Sequence, residues 1–113
     1  MNKDPKIFLE HILESIRFIE EDLQNFEHDT FLGSRQTQDS VIRRFEIIGE
    51  TIRNLPEDFK SQHPDVPWKQ AVGMRDILIH EYFDIDLELV WSTTVRDLVS
   101  LKRQIETILK TLP

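Results

Sequence analysis

The sequence predicts an all-α protein, an antiparallel four-helix bundle of the up-down kind with a long C-terminal helix. Apolar residues recur at steps of three and four in four successive segments, which is the period of an amphipathic helix. Sustained alternation of apolar and polar residues is absent from the sequence, and so are the Asn-Gly and Asp-Gly pairs typical of hairpins. Four helices that each bury one stripe are the usual content of such a bundle.

The first two helices are expected in the N-terminal half. The first covers about Pro5 to Phe26, because Asp4 is a good capping residue and proline favours the first helical position. A polar interval that contains Gly33 separates it from the second helix. That helix is expected to begin within Ser34–Thr37 and to end at Pro56, since proline cannot continue a helix.

The C-terminal half is expected to hold two more helices. The segment Pro56–Pro67 reads as a loop with one short helical turn through Phe59. The third helix runs from Pro67 to about His80, and Phe83–Asp86 connects it to the last helix at Leu87–Leu112. That last helix would be roughly 39 Å long, more than a compact domain of this size needs, so we expect a face of it to be left for a partner.

Composition limits the classes of function. A chain of 113 residues fits a single domain over residues 1–113, and its polar N-terminus predicts a cytoplasmic protein without membrane contact. The absence of cysteine from the sequence excludes disulfides and thiolate chemistry. A net charge of −7 is unlike that of a general nucleic-acid binder, so any contact with RNA has to be local.

Arg75, Asp76 and His80 form the constellation most suited to chemistry. Arg75 falls on the apolar stripe of the third helix, where an unpaired guanidinium would be costly. Asp76 and His80 are four residues apart and share a face, so the carboxylate could fix the imidazole tautomer. Arg75 and His80 lie about 140° apart on an ideal helix. They meet if the helix distorts, if the arginine wraps round, or if two copies meet across a two-fold axis.

Two interpretations of this constellation stay open on spacing alone. An imidazole can take the proton of a 2′-hydroxyl or protonate a leaving 5′-oxygen, while a guanidinium holds the anionic phosphorane, so the residues suit metal-independent RNA cleavage. Alternatively, Arg75 and Asp76 form ordinary ion pairs, and His80 caps the C-terminus of a helix.

Metal and cofactor sites are not expected. Every histidine of the sequence lacks a glutamate three residues before it, and His80-Glu81 lacks the second histidine of a zinc protease helix. The three glycines do not form a phosphate-binding loop. The remaining histidines, His11, His28 and His63, are expected to be surface residues.

Four sequence features in three segments resemble one known family. Met74–Phe83 is similar to the signature of the HEPN superfamily, in which an arginine, a polar residue, three further residues and a histidine form a ribonuclease site. The His80-x-Tyr82 extension resembles the HepT branch of that superfamily. Arg43–Glu50 and Pro64–Trp68 are similar to the same branch, and the resemblance as a whole covers nearly the whole chain.

The resemblance implies a HEPN-type bundle that acts as an RNA-cleaving toxin. In such a protein a homodimer cleft brings together both copies of Arg75 and His80, with Asp76 in support. The usual partner is an MNT-type nucleotidyltransferase, an antitoxin that transfers AMP from ATP to the tyrosine matching Tyr82. Glu50 lies in one of the similar segments, and we expect it to pair with Arg75 across the core.

Alternatives of other classes remain at this point. The chain could be a non-catalytic HEPN binding module that partners a nucleotidyltransferase, or a purely structural helical oligomer. Arg43 and Arg44 could meet RNA phosphates or an acidic partner surface. Adjacent arginines on a helix point about 100° apart, however, and are more often solvated.

Overall fold

The computed structural model describes residues 4–73 and 86–113, and these residues contain helices and no strand. The predicted all-α fold is therefore confirmed. The helices are α1 (Pro5–Asp22), α2 (His28–Leu32), α3 (Arg35–Asn54), α4 (Glu57–Ser61), α5 (residues 68–73), α6 (Leu87–Ser92) and α7 (Leu98–Thr111), with a π-helical turn at Thr93–Asp97 between the last two.

Helix α1 begins as predicted and ends early. The Asp4 carboxylate accepts a hydrogen bond from the Lys6 amide at 3.1 Å, and Pro5 occupies the first turn. The expected end at Phe26 is wrong, because α1 ends at Asp22. Asn25 has a φ of 68°, in the left-handed region that asparagine tolerates, so the chain turns there instead of continuing the helix.

Helix α3 begins and ends where the sequence places it. The Ser34 hydroxyl accepts a hydrogen bond from the Thr37 amide at 3.3 Å, which caps the first turn. The helix ends at Asn54, and Leu55 adopts the extended backbone that a following proline favours. The Ile52 carbonyl, near this end, accepts from Lys60 Nζ at 3.2 Å.

Helices α1 and α3 pack antiparallel. Near the end of α1, Asp22 accepts a hydrogen bond from Ser40 near the start of α3. Four residues earlier in α1, Phe18 lies under the guanidinium of Arg44, which is 4.1 Å from the ring centre. Contacts therefore move backward along α1 as they move forward along α3, as in an up-down bundle.

Helix α2 lies in the interval that the sequence predicts to be polar and irregular. Its Phe31 side chain has 0% exposure, and its ring centre lies 5.4 Å from that of Trp91. Gln38 Nε2 donates to the carbonyls of Phe31 and Leu32 at 3.0 Å each, which satisfies groups at the end of α2. This short helix thereby joins α3 to the last helix.

The last helix is continuous from Leu87 to Thr111 but not uniform. Its start at Leu87 is as predicted, whereas the uninterrupted α-helical register is wrong, because residues 93–97 form a π-helical turn. Such a turn adds one residue, so it changes which side chains face inward. Consecutive residues Thr93 and Thr94 are consequently both buried, at 7% and 8% exposure.

The remaining elements position the segment that carries the predicted site. The short turn through Phe59 is confirmed as α4, and α5 begins directly after Pro67 as expected. The predicted end of this helix near His80 and the connection at 83–85 lie outside the described residues. In the part of the chain that the structure describes, no helix is both long and apolar enough to cross a membrane. The core is formed chiefly by Leu9, Ile12, Ile16, Ile19, Phe31, Val41, Ile48, Ile52, Val90, Leu101 and Ile105.

Candidate functional site

In the sequence, the predicted site residues stand between α5 and α6, and contacts anchor the described part of each helix. Before it, Trp68 at the start of α5 is 7% exposed, and its Nε1 donates to the His63 carbonyl at 3.0 Å. After it, the Asp86 carboxylate caps α6 by accepting from the Leu89 amide at 3.1 Å. The residues Arg75, Asp76, His80 and Tyr82 themselves lie outside the described residues, so their mutual geometry stays a prediction.

Glu50 is the predicted site residue that the structure does describe. It is exposed on α3, and its backbone carbonyl accepts a hydrogen bond from Asn54 Nδ2 at 3.0 Å. The expected pairing with Arg75 involves a residue that is not described, and it therefore stays a prediction.

Arg43 and Arg44 occupy different environments although they are adjacent. Arg43 is exposed and pairs with Glu46 at 3.2 Å, one turn along α3, as expected of a solvated arginine. Arg44 is half-buried, and its guanidinium lies over Phe18 in a cation–π contact. Arg44 therefore has a packing role that the sequence did not indicate.

A groove between the end of α3, helix α4 and helix α5 carries an excess of positive charge. Its lining includes Arg53, Lys60 and Lys69 against one carboxylate, that of Glu57. Lys60 contacts Glu57 at 3.0 Å and has a side chain only 13% exposed, whereas Lys69 is exposed. In a chain with a net charge of −7, this groove is a local positive surface. Its last lining residue in the sequence, Gly73, directly precedes residue 74.

His28 links α2 to the start of α6, a contact that no pattern in the sequence indicates. Its Nε2 lies 2.7 Å from a Glu88 carboxylate oxygen, and its Nδ1 lies 3.3 Å from Asp29. The imidazole also packs edge-on against Trp91, with ring centres 5.8 Å apart. His28 keeps a partly exposed side chain, as expected of a surface residue, and a carboxylate sixty positions away in the sequence contacts it. His11 is exposed as expected, and His63 is half-buried against Phe59.

The contact with Glu88 predicts a pH-dependent contribution to stability. The hydrogen bond to Glu88 raises the pKa of His28 above its usual range, with the charges of Glu88 and Asp29 acting in the same direction and partial desolvation opposing them. A raised folded-state pKa means that protonated His28 stabilises the fold below about pH 6.5, its ordinary pKa. This contribution is lost as the pH rises through the raised value.

We expect His28→Asn to lower the urea midpoint at about pH 5.5, with a smaller effect at about pH 8.5. The measurement is urea unfolding at both pH values, with His11→Asn as the exposed control. A second experiment follows the His28 imidazole by NMR as the pH is changed. The pKa of His28 should be lower in Glu88→Gln than in the parent chain. An unchanged pKa would contradict the assignment of Glu88 as the main cause.

Carboxylates and imidazoles are otherwise dispersed. Within residues 4–73 and 86–113, no three histidine, aspartate or glutamate side chains lie close enough together to hold a metal ion.

Comparison with known proteins decides the family. A family model described as "Ribonuclease HepT-like" matches residues 12–108, which is most of the chain. The chain belongs to the HepT-like ribonuclease family. The matched range contains Glu50, Arg75, Asp76, His80 and Tyr82, so the candidate residues all lie within the family domain.

Relatives of this HepT-like chain carry ribonuclease names. A protein of Thermococcus cleftensis named "Probable ribonuclease HepT" is 44% identical over 97% of the chain and 100% of its own length. A protein of Caldanaerobacter subterraneus named "Putative RNase" is 38% identical, with 96% of each chain covered.

A third relative is a longer protein. It comes from Methanocaldococcus jannaschii and is named "Gamma-glutamylcyclotransferase and putative RNase". It is 49% identical over 99% of the chain, and the chain spans 50% of its length. The HepT-like domain is therefore found in relatives both as nearly the whole protein and as half of one. No solved structure matches the chain.

Proposed function

We propose that this chain is the toxin of a HEPN/MNT toxin–antitoxin pair, a metal-independent endoribonuclease of the cytoplasm. Membership of the HepT-like ribonuclease family is the observation that carries the proposal. The sequence keeps both residues that the chemistry requires, Arg75 and His80, with Asp76 four residues before the histidine. A binding module without activity would not need this pair.

The proposed reaction is an internal phosphoryl transfer. His80 of one protomer takes the proton of the 2′-hydroxyl, whose oxygen attacks the adjacent phosphorus. The bond from phosphorus to the 5′-oxygen breaks, and a second, protonated histidine supplies the proton that this oxygen needs. Arg75 neutralises the phosphorane that forms between the two steps. The products are a 2′,3′-cyclic phosphate and a free 5′-hydroxyl, so atoms and charge balance without a metal.

A homodimer would supply the two histidines, one as base and one as acid. The last helix has an apolar face available for association, because Val95 and Val99 are 52% and 49% exposed one turn apart. Exposed apolar side chains at successive turns are typical of a surface that meets a partner. These two valines support the proposal of a helix-mediated dimer.

The positive groove supports a local contact with RNA. Arg53 and Lys60 line the groove together with Lys69 of α5, and Arg75 follows Gly73, the last described residue of α5, by two positions in the sequence. Phosphates entering such a groove would meet Arg53 and Lys69 in a chain that is acidic overall. RNA contact is therefore proposed there and at the dimer cleft.

The experiment that tests the proposal is cleavage of total cellular RNA, tRNA included, by the purified chain in buffer with EDTA. The proposal predicts fragments that end in 2′,3′-cyclic phosphate, a terminus that hydrolysis by a metal-bound water does not produce. RNA that stays intact in the presence of the folded chain would instead favour the non-catalytic binding module.

We further propose that AMP transfer to Tyr82 by an MNT-type nucleotidyltransferase neutralises the toxin. Tyr82 is the only tyrosine of the chain and lies two residues after His80. An adenylyl group there would add bulk and negative charge beside the residues that bind an anionic phosphate. The modification would therefore repel RNA as well as obstruct the cleft.

Incubation with the nucleotidyltransferase and ATP should add the mass of one adenylyl group to the chain. Intact-protein mass spectrometry should show that the added mass is absent in Tyr82→Phe. A matched control moves the phenol by one residue, combining Tyr82→Phe with Phe83→Tyr, and should also stay unmodified. Persistence of the added mass in Tyr82→Phe would exclude Tyr82 as the acceptor.

A further inference from the structure

The positive groove between the end of α3, helix α4 and helix α5 combines room with charge. Its volume is about 480 Å³, within the range of about 300 to 1,000 Å³ that is usual for ligand sites. Arg53, Lys60 and Lys69 line it, and Glu57 is the one carboxylate of its described lining. Acidic residues outnumber basic ones by 21 to 14 in the whole chain, so this local ratio is the reverse of the average.

Lys60 is a cation that the fold holds in place. Its Nζ lies 3.0 Å from Glu57 and donates to the Ile52 carbonyl at 3.2 Å, and its side chain is 13% exposed. An ammonium group has three N–H donors, so one remains after these two contacts. The Glu57 side chain is 87% exposed, and its charge is therefore weakened by the surrounding water. Lys60 can donate to an anion in the groove without first being ordered.

Arg53 and Lys69 add exposed charges to the same groove, from α3 and α5. A lysine on the last helix, Lys102, is neutralised by Glu20 at 2.9 Å, whereas Lys69 forms no such pair with a described residue. Like charges that share a groove repel one another, and a bound anion removes that repulsion. The charge distribution therefore indicates that the groove binds an anion.

The walls of the groove are unsuited to the recognition of a base. Trp68 is the one aromatic residue of the described lining, and it is only 7% exposed. Its indole N–H already donates to the His63 carbonyl at 3.0 Å. Bases are bound by stacking on exposed rings or by hydrogen bonds to their edges, whereas phosphates are bound by cations. The groove therefore suits the backbone of a nucleic acid and carries no preference for its sequence.

We propose that the groove is a second phosphate-binding site for the RNA strand, which holds a phosphate other than the one at the bond that is cut. The choice of RNA as the anion rests on the proposed function. Lys60 and Lys69 donate to the oxygens of this phosphate, and Arg53 adds its charge. Such a contact is equally strong before and during the reaction, so it lowers KM without changing kcat. The site thereby favours longer strands over short fragments, whatever their bases.

The test measures binding of labelled 2′-O-methyl RNA to the purified full chain by fluorescence anisotropy. This RNA has no free 2′-hydroxyl, so the proposed reaction cannot cut it. Lys69→Gln should weaken binding by about three- to tenfold and reduce the slope of log affinity against log salt by about 0.7. The loss should be the same for oligouridylate and oligoadenylate of equal length. A loss confined to one of the two would overturn the proposal, because the groove would then contact a base.

Lys6→Gln is the matched control for this variant. Lys6 is exposed on α1 and does not line the groove, yet its replacement changes the net charge of the chain by the same amount. It should change the affinity for RNA by less than about twofold, since exposed charges at a distance are screened by salt. Equal losses in Lys6→Gln and Lys69→Gln would overturn the proposal, because net charge alone would then explain the effect.

Glu57→Gln should have the opposite effect and tighten RNA binding by about threefold, because it removes the negative charge of the groove. The amide oxygen of glutamine can still accept from Lys60, so the lysine keeps its contact. The control is Glu14→Gln, at an exposed carboxylate of α1 that does not line the groove. Unchanged affinity in both Glu57→Gln and Lys69→Gln would overturn the proposal.

Two competitors test other sources of the anion. A glutamate peptide with the same number of charges as the RNA stands for an acidic protein partner, and inorganic phosphate stands for a free small anion. Both should displace the RNA poorly at matched ionic strength, and efficient displacement by either would overturn the proposal. Groove-dependent binding without cleavage of ordinary RNA would contradict the proposed nuclease alone. If ordinary RNA is cut, Lys69→Gln should raise KM and leave kcat nearly unchanged, and an unchanged KM would contradict the phosphate site alone.

Discussion

His80→Ala should lower the rate of RNA cleavage by about 10² to 10⁴-fold while leaving the fold intact, because one residue supplies both general acid and general base in the proposed dimer. The measurement is cleavage of total RNA in EDTA by the purified variant beside the parent chain, with circular dichroism to check helicity. In cells, expression of the variant should no longer arrest growth.

The control for this variant is His11→Ala. His11 is exposed on α1, so its replacement tests whether loss of a histidine in itself changes the preparation. Full activity in His11→Ala, beside the expected loss of rate in His80→Ala, would assign the chemistry to His80. Unfolding of His80→Ala would instead identify His80 as a structural cap of a helix, the alternative that its spacing leaves open.

The fold was predictable where local signals and burial agree. Asp4 and Ser34 cap helices at the positions that their residue types favour, and the helix before Pro56 ends as proline requires. The stripes at steps of three and four identify the buried faces of α1, α3 and the last helix. These features depend on a few neighbouring residues, and a sequence displays them directly.

The structural features that the sequence did not predict depend on residues far apart in the chain or on backbone geometry. Helix α2 is only five residues long, too short to show a period, and its position depends on contacts of Phe31 with Trp91 and of its carbonyls with Gln38. The π-helical turn adds a residue without changing the residue types that a helix favours. The early end of α1 results from a left-handed Asn25, one of several conformations that asparagine tolerates.

The candidate site was predictable only in part. The family could be recognised because the order and spacing of Arg75, His80 and Tyr82 resemble the family's motif. The match to the family model confirms the family. The partners of other residues could not be foreseen, since His28 meets Glu88 from a different helix.

Phe31→Ala should lower the free energy of unfolding by about 3 to 5 kcal/mol, the usual cost of removing a large aromatic side chain from a core. Phe31 has 0% exposure, and its ring contacts Trp91 on the last helix. The decrease in the free energy of unfolding should therefore exceed any stability that the short helix α2 would have in isolation. Urea unfolding followed by circular dichroism measures it, and Trp91 fluorescence should change in the native state.

The matched control is Phe18→Ala, at a phenylalanine that is 37% exposed beneath Arg44. We expect a loss of about 1 to 2 kcal/mol there, since a partly exposed ring gains less from burial even with a cation–π contact. A larger loss in Phe18→Ala than in Phe31→Ala would show that α2 is dispensable for the core. The opposite order would support a role of α2, the element hardest to see in the sequence, in holding α3 and the last helix together.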